Sequence, residues 1–227
     1  MKIVINKPQK SNIIYLSYFM DKNTPIYGGG KGVEVIADRS IENGDTANTK
    51  FIKLSNHSGT HIDFPNHFID KGKKSDNYNA DFWVFNKPTV IKKTCIENEI
   101  IDLSDIELEK IPFDIDILIL KTDFYKYRGT DKYWLNNPGI SPNLAKTLRD
   151  KFPKLRAIGM DLISITSFQN RILGREAHNK FLEGDNPILL IEDMDLRFLN
   201  KIPKQIICLP IMISKLDGAP ITIIAIY

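Results

Sequence analysis

Two cysteines in 227 residues, Cys95 and Cys208, are too few and too far apart to frame a disulfide scaffold. No CxxC spacing offers a thiolate metal site, and the composition suits a reducing cytosol, so the cytoplasm is the expected location. Neither sign of charge prevails: 31 basic side chains face 28 acidic ones, a net charge of +3. The charges alternate, as at Lys71, Lys73, Lys74 and Asp76. Nucleic-acid binders concentrate basic residues into a stripe, so no nucleic-acid partner is expected. Long apolar runs are missing too. None approaches the roughly 20 residues that span a bilayer, and the opening MKIVINKPQK lacks a signal-peptide core. No membrane partner is expected. There is no GxSxG elbow for a serine nucleophile. The glycine-rich stretch at 28–32 is not a phosphate loop, because Pro25 stands where the first Gly is needed and Gly32 where Ser or Thr is needed. A flexible turn is expected there. Internal repeats and low-complexity linkers are absent.

What remains is a chain that is 42% apolar, enough to bury a substantial core in one domain over residues 1–227. Residues 49–55 (TKFIKLS) read as a strand leading into the histidine-rich stretch. Residues 115–121 (IDILILK) are nearly continuously apolar, as in a strand covered on both faces. Ser141-Pro142 offers an N-cap and a first helical residue for a helix ending near Phe152, before Pro153. Residues 156–162 form a buried strand, 174–182 a short helix carrying His178, and 187–191 a strand ending at Glu192. The runs 206–213 and 220–226 are two strands, with 215–218 as the turn between them. The class is therefore α/β or α+β around a large sheet. The aromatic-basic residues 124–128, with Tyr133 and Trp134, are read as packing or pocket.

Histidine is rare as well, with four in the chain, and three fall in HSGTHIDFPNHF at positions 57, 61 and 67. Gly59, Thr60 and Pro65 argue against a helical HxxxH. A loop that turns back at Gly59 brings His57, His61 and Asp63 towards one point. Imidazole and carboxylate are the donors that a borderline divalent ion such as Zn²⁺ prefers. Thr60 is placed to support a neighbouring ligand through a hydrogen bond. If His178 and Glu192 join the cluster, five donors exceed what one catalytic Zn²⁺ takes and suit two ions, bridged by Asp63 and Glu192. His67 reads either as a proton shuttle opposite the ion or as a further ligand.

The stretch His57-x-Gly59-Thr60-His61-x-Asp63-x-Pro65-x-His67 resembles in full the HxGTHxDxPxH signature of the metal-dependent cyclase/hydrolase family, which includes bacterial kynurenine formamidase and isatin hydrolase. Further echoes are Leu16-Ser17 with residues 24–29, Gly159-Met160-Asp161 with Ser164, Leu209-Pro210, and Asp217-Gly218-Ala219-Pro220. The resemblance implies a swivelling β/β/α fold with a central mixed sheet. It implies one or two divalent ions, Zn²⁺ first and Mn²⁺ second, and a homo-oligomer, dimer or tetramer. Carried over residue by residue, His57, His61, Asp63, His178 and Glu192 are metal ligands and His67 is the catalytic acid/base. Tyr27 stands where kynurenine formamidases have Trp, and is carried over as substrate-binding. Thr166 replaces a usual Asp and Thr222 a late Arg. The activity implied is hydrolysis of a small amide, lactam or ester, with N-formylkynurenine of tryptophan catabolism as the default substrate. The alternative is a ring-closing or dehydrating enzyme using the same site.

Overall fold

The computed structural model describes residues 11–30 and 32–227. The opening segment read for a signal peptide, and Lys31 of the glycine-rich turn, lie outside them. The first strands in chain order are β1 (Ile13–Tyr15), β2 (Glu34–Arg39), β3 (Thr49–Lys53), β4 (His61–Asp63), β5 (Val84–Phe85) and β6 (Pro88–Lys92). Then come β7 (Ile100–Ile101), β8 (Ile117–Lys121), β9 (Gly139–Ile140), β10 (Ala157–Met160), β11 (Leu189–Glu192), β12 (Gln205–Pro210) and β13 (Gly218–Ile226). The helices are α1 (Lys132–Leu135), α2 (Asn143–Lys151) and α3 (Arg171–Leu182).

One sheet runs β5-β12-β13-β4-β11-β10-β8-β6, and β1 also pairs with β13. Strands β6, β8, β10 and β11 are parallel. From β11 across β4, β13, β12 and β5 every pairing is antiparallel. The fold is thus the mixed α+β arrangement expected, and β4 lies where the parallel half of the sheet meets the antiparallel half. In β8 all five residues are buried, because parallel neighbours flank both edges and layers cover both faces. The β2–β3 hairpin forms a separate two-stranded sheet with its residues largely exposed.

Helix α3 buries Gly174, Ala177, His178 and Phe181, the i, i+3, i+4, i+7 stripe of a core-facing helix. Its first turn is capped by Asn170, which accepts from Leu173 N. Its last turn is closed by Arg149 of α2, whose Nη2 donates to the carbonyls of Lys180 and Phe181 at 2.7 and 3.2 Å. The stripe makes His178 a core position, so its ring enters the protein instead of the solvent.

Four expectations need correction. His61, Ile62 and Asp63 are a strand and not part of a loop, because β11 and β13 pair with them on both sides. Helix α3 begins three residues earlier than expected, since Asn170 supplies the cap. In α2 the N-cap is Pro142, and Ser141 Oγ accepts from Asn143 N at 3.3 Å. The link between the last two strands is the stretch 211–217, not a tight turn. Cys95 and Cys208 are buried and free, as expected of core residues. Phe124 and Tyr133 are also core, and Arg128 pairs with Asp193, so that aromatic-basic stretch is largely packing. No helix among the described residues is long and apolar enough to cross a membrane.

Candidate metal centre

The centre starts from a turn. Gly59 adopts φ 61°, and a Cβ there would stand 2.8 Å from Met20 Cγ, so only glycine fits without displacement. The turn feeds β4, whose alternation puts His61 and Asp63 on one face and Ile62 on the other, fully buried. Pairing then sets the neighbours. His61 lies directly across from Glu192 of β11, and Asp63 across from Gly218 of β13. Residues opposite one another share a face of the sheet, so Glu192 joins His61 and Asp63. From α3, His178 reaches over the same face.

The result is a buried quartet. His61 Nε2 lies 3.6 Å from Asp63 Oδ1 and 3.4 Å from Glu192 Oε2. His178 Nε2 lies 3.5 Å from Asp63 Oδ2 and 3.6 Å from Glu192 Oε1. Each carboxylate therefore presents one oxygen to each imidazole. Both rings are oriented from behind by backbone carbonyls. Gly59 O faces His61 Nδ1, and Gly174 O faces His178 Nδ1, each at 2.8 Å. With Nδ1–H donating there, both Nε2 atoms are left as lone-pair donors to a metal. The gaps of the quartet are longer than hydrogen bonds. Donor atoms bonded to one Zn²⁺ at 2.0–2.2 Å in a tetrahedron stand about 3.3–3.6 Å apart. The residues present thus fit a divalent ion.

A second set abuts the first. His57, Asp63 and His67 also have donor atoms close enough to share an ion, as do His61, Asp63 and Glu192, so Asp63 is common to both. His57 Nδ1 is hydrogen-bonded to Asp63 Oδ1 at 2.8 Å and its Nε2 to Asp217 Oδ2 at 3.0 Å. His67 Nδ1 meets the same Asp217 oxygen at 3.0 Å, and the two rings lie 4.0 Å apart. Phe68 stacks on His178 with ring centroids 4.4 Å apart, shielding it.

Burial by itself would lower both buried imidazoles. The facing carboxylates win, raising His61 to about 9 and His178 to about 10. Against burial, Asp63 and Asp217 raise His57 as well. Asp63, despite burial, is held well below the usual range by its imidazole neighbours. Glu192 is held below its ordinary value against both burial and the Asp63 charge. His67 moves the other way: burial lowers it, with the Asp63 charge opposing. Asp217 sits at about 2, because the hydrogen bonds from His57 and His67 outweigh its partial burial.

All six residues expected at the centre converge. Tyr27, the seventh, lies half-buried with its ring edge against Phe168 at 5.6 Å, within electrostatic reach of Glu192. Thr60 supports the site from behind, donating from Oγ1 to the Asp193 carbonyl at 2.6 Å, next to Glu192. Asp193 itself, at φ 51°, grips Arg128 through two 2.8 Å bonds. Ser164 Oγ and Ile165 N donate to Glu192 Oε1 at 3.1 and 2.7 Å. Thr166 Oγ1 lies 3.2 Å from His178 Nδ1. Sequence reasoning missed Asp217, which it placed in a turn. The signal was the Asp217-Gly218-Ala219-Pro220 echo, which was given no role at the centre; in the structure a side chain at Gly218 would run into the His57 ring. Gly218→Ala is accordingly expected to cost about 1–3 kcal/mol, the usual range for overpacking. Urea denaturation should show a lower midpoint at unchanged slope; a wild-type midpoint would contradict the close approach.

The family model described as "Putative cyclase" matches residues 14–167. That span holds the histidine-rich stretch and stops short of His178 and Glu192. A kynurenine formamidase of Bacillus thuringiensis subsp. konkukian is 29% identical over 189 residues, 80% of this chain and 81% of its own. An isatin hydrolase bound to the product analogue thioisatinate has a TM-score of 0.78 at 20% identity, over 95% of this chain and 92% of that one. A potential metal-dependent hydrolase with cyclase activity has a TM-score of 0.73 at 19% identity, over 94% and 96% of the two chains. Both solved structures carry this mixed fold.

Proposed function

The chain belongs to the cyclase family, and from that membership we propose that it is a metal-dependent hydrolase of a small amide, lactam or ester. The observation that carries this reading is the quartet: two imidazole Nε2 atoms and two carboxylates spaced as ligands of a common ion, with both Nδ1 atoms engaged by backbone carbonyls. His61, Asp63, His178 and Glu192 hold a divalent ion, Zn²⁺ before Mn²⁺, and His57 completes the set, with room for a second ion beside Asp63. Such an ion supplies Lewis acidity and lowers the pKa of water. N-formylkynurenine is the first substrate to try, on the strength of the kynurenine formamidase relative.

His67 is the acid/base. Asp217 takes its Nδ1–H, which fixes the tautomer and leaves Nε2 without a protein partner among the described residues. Its lowered pKa keeps the ring neutral near pH 7, ready to take a proton and pass it to the leaving nitrogen or oxygen. Phe68 packs edge to face against His67 and stacks on His178, covering one side of both rings.

Turnover of N-formylkynurenine, isatin and a simple aryl ester by the zinc-loaded protein is the test, with metal content measured on the same sample. Turnover lost on chelation and restored by zinc or manganese is expected. A fully loaded protein inert towards all three, or activity indifferent to chelation, would defeat the proposal. In that assay His67→Ala should lower kcat by roughly 10²–10⁴-fold while the metal stays bound. Loss of the metal instead would make His67 a ligand.

A further inference from the structure

Beside the centre, three half-buried rings form a wall, of which only Tyr27 has been given a role above. Phe168 meets Tyr27 and Trp134 edge to face, with centroids 5.6 and 5.2 Å away. The Arg171 guanidinium lies 4.5 Å over the Phe168 ring. The Tyr27 hydroxyl is buried and has no hydrogen-bond partner among the described residues. Buried hydroxyls nearly always find one, so a ligand atom is the natural complement.

Charge points the same way. Arg171 and Arg175 are one turn apart on α3, on the side that continues to His178. Among the described residues neither guanidinium has a carboxylate partner, whereas Arg128, Arg156 and Arg197 each pair with an aspartate. Both free charges act on the Tyr27 phenol and lower its pKa, while Glu192 raises it. Burial, the largest influence, leaves it at about 12. The phenol therefore stays a donor at neutral pH, and its ring and the Arg171 guanidinium meet at the same Phe168 side chain.

We propose that Arg171, Arg175 and the Tyr27 hydroxyl form a subsite for an anionic group carried by a planar aromatic ligand, the ring resting on Phe168 and Trp134. A carboxylate or sulfonate accepts from guanidinium forks and from a phenol together, and a neutral group gains far less. The proposal deepens the hydrolase reading: substrates bearing an acidic group remote from the broken bond are preferred. It rests on that reading for the reaction alone, since binding can be measured without turnover.

The probes are benzenesulfonate, a poor metal ligand, and methyl phenyl sulfone, its neutral counterpart, titrated calorimetrically into the zinc-loaded protein. Benzenesulfonate is expected to bind about tenfold tighter. In the Arg171→Gln/Arg175→Gln protein, with metal content unchanged, the two should bind alike. Tyr27→Phe should loosen the sulfonate by a smaller factor and leave the sulfone unaffected. Equal binding by the wild type, binding of neither probe, or a preference that survives loss of both arginines would overturn the subsite. A sulfonate preference in a protein that hydrolyses nothing would support the subsite and remove the hydrolase reading instead.

Discussion

An Asp63→Asn protein is expected to turn over substrate roughly a thousandfold more slowly than wild type and to bind metal far more weakly. Asp63 is the one residue common to both donor sets. It is 1% exposed, so no water replaces its charge. Asn keeps the volume, which spares the packing, but loses the anion and points an amide N–H₂ where a lone pair was needed. Without that anion, the His61 and His178 pKa values fall, because Asp63 and Glu192 are what hold them up. His57 loses its 2.8 Å partner as well. A thousandfold loss corresponds to about 4 kcal/mol of transition-state stabilisation. Metal stoichiometry and kcat/KM, measured on the folded variant, decide the matter. Values within threefold of wild type would show that Asp63 has no part in the chemistry.

Metal removal should produce the second large effect, and its pH dependence has a definite sign. A ligand present at about 1,000 times its Kd stabilises the native state by about 4 kcal/mol. For a chain of this size each kcal/mol shifts Tm by about 2–4 °C, so chelation should lower Tm by about 8–16 °C. In the metal-free protein His61 and His178 are raised from 6.5 to about 9 and about 10. Their contribution to stability is complete below 6.5 and disappears as the pH rises through 9 and 10. Asp63 and Glu192 are depressed, so their contribution is present above their ordinary values of 3.8 and 4.5 and is lost as the pH falls through the depressed ones. A bound ion must displace the two imidazole protons, so it binds better as the pH rises. The gap in Tm between loaded and chelated protein should therefore widen from pH 6 to pH 8. Calorimetry at both pH values tests this, and a gap that narrows, or none at all, would refute the assignment.

Much of the site was legible in the sequence because its chemistry is contiguous. Four of the six expected residues fall within eleven positions, and a short polar motif with Gly59 and Pro65 reports its own turn. His178 and Glu192 were legible through their settings, one on an apolar helical stripe and the other at the end of an apolar run. The strand character of residues 61–63 was not legible. Three residues after Gly-Thr carry no β signal of their own, and the pairing that makes them a strand comes from partners about 130 and 155 residues away. Asp217 was hidden for the same reason. Local chemistry reads Asp-Gly as a turn, and nothing nearby indicates that its carboxylate meets two distant imidazoles. Thr60, expected to hydrogen-bond a neighbouring ligand, instead donates to the carbonyl of Asp193, the residue after Glu192, a partner fixed by the crossing of chain segments and not by spacing. The arginine pair on α3 looks like any solvated helix face until the opposite wall is known.

β4 is only three residues long and is flanked by paired strands on both edges. Two of the donors therefore ride on backbone in the middle of the sheet, among the segments that open last in native-state hydrogen exchange. They cannot drift apart by loop breathing. Slackening at the distant end of β13, near Ile226, would reach these side chains through the strand, so rigidity of the centre and cooperativity of the whole sheet are one property.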